Sequence, residues 1–151
     1  MNTLAMYNRL TKLPLGKQIF SKTVCLAAPY FSSIKPKISE LKPGLCQVHM
    51  KKRRRVQNHL KTVHAIAMCN MAELSAGLMM DVSVPKGARW IPAGMEVQYL
   101  KKAKTHLTAV ADGQAIDWQT QGDVMVPVSV TDTQNNLVFS AQVRMNIKHK
   151  S

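Results

Sequence analysis

Residues 58–80 read Asn-His-Leu-Lys-Thr-Val-His-Ala-Ile-Ala-Met-Cys-Asn-Met-Ala-Glu-Leu-Ser-Ala-Gly-Leu-Met-Met. Polar residues crowd the start, and the body from Ala65 onward is apolar and helix-permissive. A helix that is apolar on nearly every face is normally wrapped by other structure. Glu73 interrupts that body. A carboxylate buried there must be paired, neutralised or used, because burying an isolated charge is costly. The stretch therefore predicts a central helix carrying a candidate functional acid.

On either side of this helix the period changes to two. Before it, Cys46, Val48 and Met50 alternate with Gln47, His49 and Lys51, the pattern of a strand with one buried face. The strand is expected to continue through the cations Lys51 to Arg55 and to end near Val56. The helix is expected to begin between Thr62 and His64, with Thr62 as cap. Asp81 to Arg89, with Pro85 and Gly87, reads as a loop. Three further alternating segments follow, around Met95–Tyr99, His106–Ala111 and Val124–Val130. Pro127 argues for an edge strand or a bulge. Asp132 to Asn136 is a hairpin turn, and Leu137 to Lys148 has the cleanest alternation of all.

The first forty residues read as a helical extension. One short amphipathic helix carries Leu4, Met6, Tyr7, Leu10 and Leu13 and is ended by Pro14 and Gly16. A second runs from about Lys17 to Ala28 and is closed by Pro29. Residues 32–44, with Pro36, Pro43 and Gly44, read as a connection. Strands joined by short turns make an antiparallel meander, so residues 1–151 are expected to form one α+β domain. Its curved antiparallel sheet, of about five or six strands, would wrap the one buried helix, with residues 1–40 packed on it.

The bulk properties narrow the function. The 151 residues suffice for one domain with a real core, and 46% hydrophobic content is globular. The longest apolar run, Ala65 to Met80, contains Asn70, Glu73 and Ser75 and falls short of a bilayer span, so no membrane association is expected. No secretory pattern is present, and the three cysteines, Cys25, Cys46 and Cys69, form no zinc spacing or disulfide framework. A reducing compartment, the cytoplasm, is expected. The net charge of +13 attracts anions, whether nucleic acid, membrane or phosphorylated small molecules. Aromatics make up only 5% of the chain and few interleave with the cations, which argues against a single-strand stacking surface and leaves nucleic acid behind.

Ala-Pro-Tyr-Phe at 28–31, Leu-Lys-Pro-Gly at 41–44, Asn-His-Leu-Lys-Thr-Val-His-Ala at 58–65, Ala-Glu-Leu at 72–74 and Val-Gln-Tyr-Leu-Lys-Lys-Ala at 97–103 occur in an order that resembles the hotdog fold of acyl-CoA thioesterases and dehydratases. The resemblance covers nearly the whole chain and is closest to a bacterial group known as a domain of unknown function or as candidate thioesterases. It implies a homodimer or a dimer of dimers, an acyl-CoA-like substrate, and no cofactor beyond the coenzyme A of that substrate. In similar enzymes an Asn, a His and a Gly pair open the helix, and an acid follows about two turns later. Asn58, His64 and Glu73 fall on those positions, while Ala65-Ile66 replaces the Gly pair and Gly77 stands where a hydroxyl residue is common. The acid attacks the thioester carbonyl or activates a water. A backbone N–H from the opposite subunit holds the oxyanion.

The residues support the same chemistry independently. Free N–H groups at a helix N-terminus suit a developing oxyanion, and the N–H of Ala65 or Ile66 can serve without glycine. Glu73 shares Ile66's face, and in an apolar setting its pKa is expected to rise toward that of a general base. The alternative is a buried, hydrogen-bonded carboxylate, over which the family resemblance favours the catalytic role. Asn58 either orients a water or substrate carbonyl or is a turn residue, and His64 either donates to the thioester or stabilises the loop. His59 and His64 do not share a helical face, so no metal site is expected. Lys51 to Arg55, Arg53, Arg54 and Arg55 above all, are either a solvated strand end or a seat for phosphates together with Lys101, Lys102 and Lys104. Met68, Met71, Met79 and Met80 are core or acyl-pocket lining, and Trp90 and Tyr99 are candidates to flank such a pocket. An acyl-binding protein without turnover remains the alternative.

Overall fold

The computed structural model describes residues 2–150. Two helices, α1 (Thr3–Leu10) and α2 (Gly16–Ala27), lead through a 3-10 turn at Pro29–Ile34 into β1 (Lys37–Lys42) and β2 (Leu45–Met50). A second 3-10 turn, Arg54–Val56, precedes the long helix α3 (Ala65–Ser83). Then come β3 (Arg89–Tyr99), β4 (Leu107–Asp112), β5 (Gly122–Thr131) and β6 (Leu137–Lys148). The six strands form one antiparallel sheet in the order β1-β2-β4-β5-β6-β3. It curves around α3, which packs against strands from both halves of the sheet.

The alternating patterns land where period two requires. Cys46, Val48 and Met50 face inward from β2, as do Val124, Val126, Val128 and Val130 from β5 and Ala141, Val143, Met145 and Ile147 from β6. They meet Met68, Met71, Met79 and Met80 of α3, all core residues. Pro127 lies one residue beyond the last β4 partner of β5, where that side of the strand is an open edge and a missing N–H is tolerated. The Asp132 carboxylate closes the β5–β6 turn by accepting from the Asn136 side-chain amide and from the Asn136 and Gln134 N–H groups, and these bonds, the side-chain one first, hold it below the usual carboxylate range.

Four expectations need correction. Residues 32–44 contain a strand, β1, joined to β2 through Pro43 and Gly44, the latter at φ +77°. The strand before the helix stops at Met50, and the cations occupy the following loop and 3-10 turn instead of extending it. The cap of α3 is His64 rather than Thr62. The strands after α3 are not a simple meander, because β3 pairs with β6 at the sheet edge and the chain must cross to reach β4. That crossover, residues 100–106, passes under the start of α3, where the Val63 N–H donates to the Ala103 carbonyl at 2.8 Å.

Helix α3 is also longer than its apolar run suggests. At 19 residues and a mean hydropathy of 1.2 it has the length and composition of a membrane span, although more than half of that window is buried inside this fold. The N-terminal helices are welded to the same core. Phe20 is fully buried and meets the Tyr7 ring edge-on at 5.0 Å between centroids. The Tyr7 hydroxyl donates to the Ser39 carbonyl of β1 (3.0 Å), and the Ile38 N–H donates to Ser21 Oγ (2.9 Å). Gly16 permits the tight α1–α2 corner, since a Cβ there would lie 1.7 Å from the Leu10 carbonyl oxygen.

Candidate functional site

The sheet does not close over the whole of α3. A stripe through Ile66, Cys69 and Glu73 stays open between the 3-10 turn at residues 29–34 and the edge strand β3. Glu73 is therefore solvent-exposed within one chain, contrary to its expected burial. The physical reason is positional: helix spacing puts residues 66, 69 and 73 on one face, and that face points away from the sheet.

Glu73 lines a cavity of about 450 Å³ between the N-terminal helices, α3 and β3. Its walls are mainly apolar and include Val24, Phe31, Leu74, Leu78 and Trp90. Trp90 is thus part of a cavity wall, whereas of the four methionines named above none lines this cavity and all sit in the core.

The helix start forms a second, separate groove of about 370 Å³, lined among others by Asn58, Ala65, Tyr99, Lys101 and Lys102. His64, as N-cap, accepts the Ile66 N–H through Nδ1 at 3.1 Å. That ring nitrogen must be unprotonated to accept, which leaves any ring proton on Nε2. Ile66 thus loses its N–H to the cap. The Ala65 N–H has no intramolecular acceptor among the described residues and lies at a positive helix end. Of the two candidate donors, the structure leaves Ala65.

Asn58 is fully engaged in its own turn. Its Oδ1 accepts from the Leu60 and Thr62 N–H groups at 3.0 and 3.1 Å, and its Nδ2 donates to Thr62 Oγ1 at 2.9 Å. It shapes the groove wall while the Lys61 backbone turns through a positive φ of 59°. The crossover explains why Lys101 and Lys102 arrive here, because its route under the helix start carries them to the same groove. The other cations are elsewhere. Arg53 Nη2 donates to the Ser33 carbonyl at 2.6 Å and ties the two 3-10 turns together. Arg54 and Lys104 are exposed and line neither cavity, and Arg55 lines a smaller pocket with His64 and Asn70.

Two residues on this side of the molecule had no signal that singled them out. Cys69 Sγ lies 3.6 Å from Tyr99 Oη, and this contact together with partial desolvation raises the Tyr99 hydroxyl above its ordinary pKa. Asn70 is buried, donates to Ser33 Oγ at 3.2 Å and keeps its Oδ1 without a partner among the described residues.

A strongly curved antiparallel sheet around one central helix, with an N-terminal helical extension, is the hotdog fold. The chain belongs to the family described as domain of unknown function DUF4442, whose match spans residues 16–147. It is similar over 98% of its length, and 99% of the other chain, to the crystal structure described as genomics APC5556, at 45% identity and a TM-score of 0.89. It shares its fold with thioesterase HI1161 from Haemophilus influenzae, at 13% identity and a TM-score of 0.74, covering 84% of this chain and 87% of that one. The fold also recurs in PA5026 from Pseudomonas aeruginosa, described as of unknown function and a probable thioesterase, at 16% identity and a TM-score of 0.77, covering 91% and 97%. No curated protein matches the chain.

Proposed function

We propose that this protein hydrolyses an acyl thioester of coenzyme A in a site assembled from two copies of the chain. The carrying observation is a distance. Ala65 and Glu73 are eight residues apart on one helix, about 12 Å along its axis. A single carbonyl needs its oxyanion donor at about 3 Å, with the attacking group on the same carbon. Within one chain the two groups cannot serve the same thioester, but across a two-fold axis they can. The long outer edge of β3 supports such pairing, since an exposed edge strand is ordinarily covered. So do the exposed apolar side chains Ile66, Ile91 and Tyr99 along the same side.

In this reading the Ala65 N–H of one copy holds the thioester oxygen. Glu73 of the second copy either takes a proton from an attacking water or attacks the carbonyl carbon itself, expelling the thiolate to leave an anhydride on Glu73 that water then splits into the free acid and Glu73, a proton of that water passing to the thiolate. In the water route a C–O bond forms, the C–S bond breaks, and the proton held by Glu73 passes to the leaving thiolate. The products are a carboxylic acid and free coenzyme A. Lys101 and Lys102, beside Ala65, attract the phosphates, while His64 positions the donor by capping the helix. Coenzyme A enters only as part of the substrate.

Thiol release from a panel of acyl-CoAs tests this. The wild type turns over at least one member, and Glu73→Gln slows it by about two orders of magnitude or more. The acyl-binding alternative is favoured by the Ile66 side chain beside the donor. It takes over if substrates bind but none is cleaved faster than in buffer, or if Glu73→Gln is as fast as wild type.

A further inference from the structure

We propose that the cavity beside Glu73 holds an unbranched aliphatic acyl chain of medium length, and that the N-terminal helices set the length limit. This rests on the thioester reading and specifies its substrate class. The cavity runs along α3 from Glu73 to Asp81, both of which line it. Those residues are eight apart, about 12 Å along the axis. A fully extended chain advances roughly 1.25 Å per bond, given bonds of about 1.52 Å and angles near 111°. About ten carbons therefore fit between the reacting acid and the far end.

The far end is marked by a contact between elements that are distant in sequence. The Thr3 hydroxyl donates to the Asp81 carboxylate and so fastens α1 to the last turns of α3. Between the ends, Val24, Leu74 and Leu78 carry no side-chain polar atom, and Trp90 carries only its single indole N–H donor. Thr23, the second hydroxyl residue in the lining, donates its hydroxyl to the Ile19 carbonyl within its own helix. Gly77 has a part in the cross-section. A Cβ there would lie 3.1 Å from Trp90 Cη2, so glycine lets the benzo end of the indole come close to α3 and form one wall. Hydrocarbon burial is favourable and non-directional, which suits an occupant with no polar groups along its length.

Two α2 variants that add bulk from outside the core test the assignment: Val24→Phe and Ala27→Phe, the second at an exposed position that tolerates change if the first fails to fold. Hydrolysis of saturated acyl-CoAs from acetyl to palmitoyl should peak near ten carbons. Either variant should lower the decanoyl-to-butyryl ratio of kcat/KM by at least about tenfold. Calorimetry on Glu73→Gln separates this proposal from the hydrolysis itself, with decanoyl-CoA binding at least about tenfold more tightly than butyryl-CoA and Val24→Phe in that background abolishing the difference. Chain-length-dependent binding that Val24→Phe removes, without hydrolysis by wild type, upholds the cavity assignment and sinks the hydrolytic reading. Hydrolysis whose chain-length profile neither variant moves, or that prefers aromatic over linear acyl groups, overturns the cavity assignment and leaves hydrolysis standing.

Discussion

His64 does for α3 what serine or aspartate does at most helix starts, accepting a first-turn N–H through its side chain. Replacement by alanine should lower stability by about 1 kcal/mol, the usual worth of a cap, measured by urea unfolding. A second histidine sets an acid limit. His49 touches Thr108 Oγ1 through Nδ1 at 2.8 Å and Gln47 through Nε2 at 3.1 Å. Burial first, and then the charges of Lys37 and Lys17, hold it below its ordinary value of 6.5. The unfolded chain therefore binds this proton more readily than the folded one, so stability is lost as pH falls below 6.5. His49→Gln should flatten that decline in melting temperature, and an unchanged slope would show another group responsible. Histidine 64 was legible as a residue at the helix start, but the choice between Ala65 and Ile66 as donor was not. It depends on which N–H the imidazole occupies, a matter of rotamer and loop geometry that no spacing encodes.

At the scale of elements, α1 and α2 belong to the core rather than lying over it. Phe20→Ala should cost about 3–5 kcal/mol in chemical unfolding, since a fully buried aromatic would leave a cavity under β1. A loss below about 1 kcal/mol would mean that the extension is dispensable to the fold. The central helix and the strands β2, β5 and β6 were readable because their apolar residues keep a single period. Strand β1 was not. Its register slips between Ile38 and Glu40, so Ile38 and Leu41 both point inward and the alternation is broken. The pairing of β3 with β6 was equally hidden, because a strand's neighbour is fixed by the crossover and not by its own residues. The open stripe of α3 follows from that arrangement and explains why Glu73 looked buried from its apolar neighbours in sequence.

For the whole molecule, the net charge of +13 should draw anionic substrates in from solution. Raising the salt from about 0.05 to 0.5 M should lower kcat/KM for an acyl-CoA more than kcat, because screening weakens encounter. The proposed catalytic unit is two chains. Ala65→Pro offers a clean way to remove the donor. Proline is favoured at the first helical position, where its missing N–H disturbs no helical bond, and His64 already has the extended backbone (φ −64°, ψ 138°) that a following proline requires. The decisive measurement is thioesterase activity of Ala65→Pro and Glu73→Gln chains, each alone and co-expressed. Each variant alone should fall about a hundredfold or more below wild type. Random pairing then gives mixed dimers with one intact site, restoring up to about a quarter of wild-type activity. Co-expressed chains no more active than either variant alone, or an Ala65→Pro protein as fast as wild type, would contradict a site built from the helix start of one copy and Glu73 of the other.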